Sequence, residues 1–135
     1  MLLPIDMARN AAKGEVMALQ QQQAAQAVAH VIEQETAYAF IAWLSQVPLD
    51  TLAGVAPREQ THTAYDHPLA NWLSAQCGGM WSIRRLADGQ PIAERWQDGQ
   101  VVERSALPVW AVAFCDRLFW WSGRKLTSAD CLSLL

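Results

Sequence analysis

The order of apolar and polar positions divides the chain into a helical first third and a mixed remainder. Residues 15–46 contain neither glycine nor proline and are rich in Ala, Gln and Glu, which predicts helix throughout. One helix of that length would outrun a domain of 135 residues, so the segment is either one projecting helix or a pair that breaks near residues 34–36. Its second part, from Ala37 to Leu44, is apolar nearly all round, which predicts that it is buried.

A connector and a short helix follow. Residues 47–66 hold scattered Asp, Gly and Pro, which predicts a connector with turns. The next helix is expected to run to about Gln76, with Asp66 as its N-cap and Pro68 in its first turn, where the missing N–H costs nothing. The Gly78-Gly79 pair is expected to end it.

After these glycines the period changes from helical to alternating. Three segments alternate and are predicted strands: residues 80–84, 92–97 and 100–104. Asp98-Gly99 fits the tight type I′ turn of a hairpin between the last two, and Asp88-Gly89 supplies a turn before them. The three strands predict a small antiparallel sheet that helices can cover.

Residues 107–121 return to a helical period. Four apolar side chains share one face of this helix: Trp110, Phe114, Leu118 and Trp121. Adjacent helix residues point about 100° apart, so Trp120 is expected at the rim of the core or on a partner. Thr127 and Asp130 are spaced as in a capping box, which predicts a short C-terminal helix.

The pattern as a whole predicts one α+β domain. We expect N-terminal helices, a small three-stranded antiparallel sheet with a hairpin, and two C-terminal helices. Residues 1–46 form an N-terminal helical segment, residues 47–66 a connector, and residues 67–135 a compact α+β core that packs with residues 36–46.

Composition adds a prediction about partners. Hydrophobic residues make up 52% of the chain and charged residues only 17%, which is below the usual share in a soluble domain. This leaves more apolar surface than a monomer readily hides and favours a protein partner or self-association. The seven Trp residues strengthen this expectation, because Trp is enriched among interface anchors. The predicted protein-interface residues are Val28, Val31 and Trp120.

The charge distribution bears on nucleic-acid binding. A formal net charge of −3 disfavours a protein that holds phosphates, although seven of the ten basic residues lie after residue 80. Trp81, Arg84, Arg85 and Arg95 could place rings and cations on one sheet face, as in single-strand binders. The competing and favoured interpretation buries Trp81 and Trp96 on the inner face and leaves the arginines outside, which is ordinary strand alternation.

The cysteines and the hydropathy bear on location. Three cysteines without Cys-x-x-Cys spacing predict reduced thiols, and the N-terminus shows the reverse of a secretory pattern. No uncharged apolar run approaches the ~20 residues of a membrane span. We therefore expect a soluble, cytoplasmic protein that does not contact a membrane.

His62, His67 and Cys77 are the weak metal candidates. His-x4-His followed ten residues later by one Cys matches no common zinc spacing, and packing explains Cys77 as well. A nucleophilic Cys77 is disfavoured because the negative end of the predicted helix dipole would raise its thiol pKa. No catalytic residue and no cofactor are predicted.

Three apolar segments resemble a pattern in small uncharacterised bacterial proteins, some of them borne on mobile elements. The segments are Phe40-x-x-Trp43-Leu44, then His67-Pro68-Leu69-Ala70-x-Trp72-Leu73, then Leu107-Pro108-x-Trp110 followed by Phe114. The group often has Cys where this chain has His67. The resemblance implies shared packing and a mobile-element context, and it implies no activity.

Three functional hypotheses follow. The first is a non-enzymatic protein-interaction module, either an adaptor or a homo-oligomer, that uses the N-terminal helix and exposed Trp. The second is a phage- or plasmid-encoded anti-defence inhibitor or accessory nucleic-acid-binding protein that uses the Arg/Trp sheet face. The third is a small metal-dependent hydrolase around His62, His67 and Cys77.

Overall fold

The computed structural model describes residues 36–58 and 63–135. Over these ranges the elements are α1 (Tyr38–Ser45), β1 (Leu52–Val55), α2 (Pro68–Cys77), β2 (Met80–Arg85), β3 (Pro91–Gln97), β4 (Gln100–Ala106), α3 (Val109–Leu118), a 3-10 helix (Phe119–Trp121), β5 (Lys125–Thr127) and α4 (Ser128–Ser133). The expected mixed α+β class is confirmed. None of the helices in the described ranges combines the length and apolarity that crossing a bilayer requires.

The three-stranded sheet agrees with the alternating pattern. Its order is β2-β3-β4 and both pairs are antiparallel. Asp98 and Gly99 join β3 to β4 with φ angles of 52° and 76°, the positive values that a type I′ turn needs. A register shift between Arg95 and Trp96 adds a bulge, beyond which Trp96 pairs with Val101.

Residues 47–66, for which a connector with turns was predicted, contain one strand of a second sheet. β1 lies in this segment and pairs antiparallel with β5, which follows α3. Strands of four and three residues are too short to show a period, so only the tertiary pairing defines them. Backbone hydrogen bonds from Ser128 to Thr51 and from Ala129 to Leu49 tie the start of α4 to the same segment.

The N-cap of α2 is His67, not the predicted Asp66. Pro68 follows as the first helical residue and disfavours helical angles at the residue before it, so His67 adopts φ −99° and ψ 140°. The His67 Nδ1 accepts the Leu69 N–H at 3.1 Å. Asp66 instead accepts a hydrogen bond from the Asn71 side-chain amide at 2.9 Å.

The aromatic part of the core lies where α1, α2 and α3 meet. The Phe40 ring is 5.2 Å from Trp72 and from Phe114, and 5.8 Å from Trp110, measured between ring centroids. Trp72 and Trp110 are themselves edge to face at 5.7 Å. Aromatic pairs of this geometry add to the hydrophobic gain of burying the rings.

α1 is less buried than its apolar sequence predicts. Phe40 and Leu44 are buried one helical turn apart, whereas Tyr38 is 75% exposed and Ala42 is exposed. A helix at the edge of a core covers one face only, so an apolar side chain on its other face stays in solvent. The segment before α1, residues 1–35, lies outside the described residues, as does the predicted helix within it.

Candidate functional site

α3 is followed by a surface segment, residues 119–125, which we call the α3 tip. The 3-10 helix continues α3 directly, and the segment then turns back toward β1. The Gly123 N–H donates to the Ala56 carbonyl oxygen at 3.0 Å, and the Ser122 hydroxyl donates to the Arg58 carbonyl oxygen at 3.0 Å. These hydrogen bonds tie the α3 tip to the residues that follow β1.

Phe119 and Trp120 form an exposed aromatic pair on the α3 tip. Trp120 is 84% exposed and Phe119 is 44% exposed. Their ring centroids are 5.8 Å apart with planes at 73°, an edge-to-face arrangement. Trp121, by contrast, packs against the core, with the Arg124 guanidinium carbon 5.7 Å from its ring centroid.

Three cations lie on or against the segment that carries this pair. Arg124 and Lys125 follow it within the α3 tip and are exposed. The Arg58 side chain lies against the backbone of Gly123, where a Cβ would be 3.2 Å from the Arg58 Cγ and Nε. None of these three cations forms an ion pair with a carboxylate of the described residues.

The sheet does not gather Trp81, Arg84, Arg85 and Arg95 on one face. Trp81, Arg85 and Arg95 lie on the face that packs towards α2 and α3, and Arg84 lies on the other face. The Trp81 indole is 1% exposed and its N–H donates to the Gly78 carbonyl oxygen at 2.9 Å. Trp81 therefore offers no ring on which a base could stack.

The position of Trp96 contradicts the favoured interpretation, in which Trp81 and Trp96 are buried on the same face of the sheet. Trp96 pairs with Met80 across the sheet, so it lies on the face opposite Trp81 instead of beside it. Its indole N–H donates to the Ser82 hydroxyl at 2.8 Å, and its ring is 5.8 Å from the half-exposed Tyr65. The alternation that was expected to bury both indoles together places them on opposite sides of the sheet.

Carboxylates accompany the arginines of the covered face. Arg85 donates to Asp116 of α3 at 2.7 Å, and Arg95 donates to Glu103 of β4 at 3.0 Å. Cations that are paired in this way have less charge to offer to a phosphate backbone.

On the other face, Glu94 accepts hydrogen bonds from two arginines. Arg84 donates through Nε, and Arg104 donates at 2.9 Å. The Glu94 side chain is 1% exposed. Burial alone would raise its pKa, but the hydrogen bonds and charges of Arg84 and Arg104 outweigh burial and hold the pKa of Glu94 below its usual range.

The three candidate metal ligands are His62, His67 and Cys77. His62 lies outside the described residues, and the Nδ1 of His67 already accepts the hydrogen bond that caps α2. Burial, with the charge of Arg85, lowers the pKa of His67 to about 3, so its imidazole is neutral. Burial and the charge of Glu103 raise the pKa of Cys77. The part of the chain that the structure describes contains no group of three or more His, Cys, Asp or Glu that could hold a metal.

The other two cysteines are buried in the core. Burial raises the pKa of Cys115 and of Cys131 to about 12. A nucleophilic cysteine needs the opposite shift, towards a stable thiolate at neutral pH. Their buried surroundings fit a role as small side chains that pack in the core.

Among the predicted interface residues, Val28 and Val31 lie outside the described residues, and Trp120 is exposed on the α3 tip. The sequence analysis did not identify the edge-to-face Phe119 or the three cations on and against the α3 tip. The run of three aromatic residues followed closely by Arg124 and Lys125 was a local signal for most of this surface.

The three apolar segments that resemble the pattern of small bacterial proteins contribute residues to the core. Phe40, Trp72 and Phe114 are buried within it, which fits a role in packing. Comparisons with models of protein families, with curated proteins and with solved structures find no match for this chain.

Proposed function

We propose that this chain is a non-enzymatic protein-binding module whose anchor is the pair Phe119 and Trp120. The observation that supports this most directly is the 84% exposure of Trp120 on a segment held by hydrogen bonds. A Trp on a fixed base loses little conformational entropy on binding and gains the burial of a large ring. Such residues dominate the energetics of protein interfaces.

The alternatives have less support from the same structure. Nucleic-acid binding through the sheet would need free cations beside an accessible ring, whereas the sheet arginines pair with carboxylates and Trp81 is buried. A hydrolase would need an activated nucleophile or a base near neutrality. His67 has a pKa of about 3, and burial raises the pKa of all three thiols.

The three cysteines are free thiols. Unpaired cysteines persist in a reducing compartment, so we place the proposed module in the cytoplasm. The partner we propose is a segment of another protein that places an apolar side chain against the Trp120 ring.

The test is a selection from a library of random dodecapeptides displayed on phage, with the full chain immobilised. Enriched peptides are synthesised, and their Kd is measured by titration calorimetry against the wild type and Trp120→Ala. We expect the substitution to weaken binding about tenfold or more, the effect of removing an interface anchor. Tyr38→Ala is the matched control, since it removes a ring that is 75% exposed on α1. Peptides that bind Trp120→Ala as tightly as the wild type would refute the proposal.

Self-association is measured in parallel. Light scattering on a sizing column gives the molar mass of the wild type and of Trp120→Ala. A monomer in both cases agrees with a separate partner protein. A wild-type dimer that dissociates on Trp120→Ala would instead assign the anchor to a second copy of the chain.

A further inference from the structure

We infer that the segment bound by the α3 tip is acidic, with Asp or Glu flanking an apolar side chain that covers Trp120. This inference rests on the proposed function and names the chemistry of its partner. It follows from the cations on and against the α3 tip, whereas the exposed pair itself indicates only an apolar contact.

The cations of the α3 tip, and Arg58 against it, differ in their pairing from those of the three-stranded sheet. Each arginine of the sheet donates to a carboxylate within the domain: Arg84, Arg85, Arg95 and Arg104. Arg58, Arg124 and Lys125 have no carboxylate partner among the described residues, although the whole chain carries a net charge of −3. Unpaired cations on or against one segment of an acidic chain favour the approach of an acidic surface.

The three cations lie on or against the segment that carries the apolar pair. Arg124 and Lys125 follow Trp120 by four and five positions, and the fold brings Arg58 against Gly123 on the same segment. An apolar contact surrounded by charge is the usual composition of a small interface, with an apolar centre and a polar rim. The ring supplies most of the affinity, and the rim charges select the partner and raise its association rate.

The geometry favours a protein segment over a single-stranded nucleic acid. Successive bases need ring faces on which to stack, but the planes of Phe119 and Trp120 meet at 73°. The Trp121 ring is half-buried and has Arg124 against it. An edge-to-face pair instead forms a corner that receives one apolar side chain.

The experiment compares the amino acids enriched from the dodecapeptide library on three proteins. These are the wild type, Arg124→Glu with Lys125→Glu, and Arg104→Gln as a control that removes an exposed cation of the sheet. We expect enrichment of Asp and Glu on the wild type and on the control, and of Lys and Arg on the double variant. Arg58→Glu is a second variant with the same expected direction, because Arg124 also contacts Trp121.

Two readouts separate the failure of this inference from failure of the proposed function. Peptides that require Trp120 but show no acidic bias would overturn the inference and leave the protein-binding function in place. Peptides that bind Trp120→Ala as well as the wild type would overturn both. For acidic peptides, raising NaCl from about 50 to about 300 mM is expected to weaken binding several-fold, since exposed charges are screened.

A fluorescein-labelled oligothymidylate is the nucleic-acid probe. Fluorescence anisotropy is measured with the wild type, Trp120→Ala and the double variant at low salt. We expect binding at least tenfold weaker than that of the acidic peptides. Tighter binding that is lost with Trp120→Ala would overturn the inference and assign the α3 tip to single-stranded nucleic acid.

Discussion

Gly54 of β1 lies directly against Pro68, the first residue of α2. A Cβ at position 54 would be 2.7 Å from the Pro68 Cδ and 2.9 Å from the Asp66 carbonyl oxygen. The approach is fixed because the Val55 N–H donates to that same carbonyl at 2.6 Å. The junction between β1 and α2 therefore has no room for a side chain on residue 54.

Gly54→Ala is expected to lower the free energy of unfolding by about 1–3 kcal/mol, the usual cost of overpacking a closed junction. Urea denaturation followed by tryptophan fluorescence measures the change. Leu52→Ala, at a 61% exposed position of the same strand, is the control and is expected to shift stability by about 0.5 kcal/mol or less. An unchanged urea midpoint for Gly54→Ala would mean that β1 and α2 do not approach this closely.

His67 makes stability depend on pH. Its pKa falls from 6.5 to about 3 in the folded state, so between these values the unfolded chain binds the proton more readily. The stability that neutral His67 provides is complete above pH 6.5 and is lost as the pH falls towards 3. Within this window the loss from this one group is about 1.4 kcal/mol per pH unit.

His67→Asn tests whether His67 causes this pH dependence of stability, because asparagine can cap α2 but does not titrate. We expect the variant to be less stable than the wild type at neutral pH, since the smaller side chain leaves a cavity beside Phe114. Its stability should vary less with pH, so the difference from the wild type narrows on acidification. Urea titrations at a series of pH values measure both curves, and parallel curves would assign the acid sensitivity to other groups.

Trp72 is 2% exposed and Trp81 is 1% exposed, and their indole N–H groups differ in hydrogen bonding within the described residues. The Trp81 N–H donates to the Gly78 carbonyl oxygen, whereas the Trp72 N–H has no acceptor among the described residues. Leaving a buried donor unpaired costs about 1–3 kcal/mol. Trp72→Phe removes that donor, and Trp81→Phe removes a hydrogen bond.

The two substitutions delete the same atoms, so each is the other's control for lost volume. We expect Trp72→Phe to be the milder one, by about 1–3 kcal/mol in the free energy of unfolding. Chemical denaturation followed by circular dichroism measures the difference without relying on the altered fluorophore. Equal costs would show that the Trp72 N–H finds a partner in solution.

The parts of this fold that were predicted correctly have local signals. Asp98-Gly99 between alternating segments is sufficient to define a hairpin, and Thr127 with Asp130 forms the predicted capping box. The cap of α2 lies one residue after the predicted Asp66, because Pro68 favours extended backbone angles at the residue before it, His67.

The parts that were missed depend on tertiary contacts. β1 and β5 have no period of their own and become strands only by pairing with each other. The exposure of Trp120 followed from the angle between neighbouring helix residues, but the approach of Arg58 to Gly123 did not, since those residues are distant in the sequence. Which sheet face holds each Trp depends on register, and a shift of one position moves a side chain to the other face.

The α3 tip offers a test of whether its exposed ring has any role in folding. Trp120 is 84% exposed, so Trp120→Ala should change the free energy of unfolding by about 0.5 kcal/mol or less. Trp121 packs against the core and contacts Arg124, so Trp121→Ala should cost about 2 kcal/mol or more. Urea denaturation followed by circular dichroism compares the neighbours directly. A large loss of stability for Trp120→Ala would make the ring a structural element, because a residue kept only for binding contributes nothing to the isolated fold.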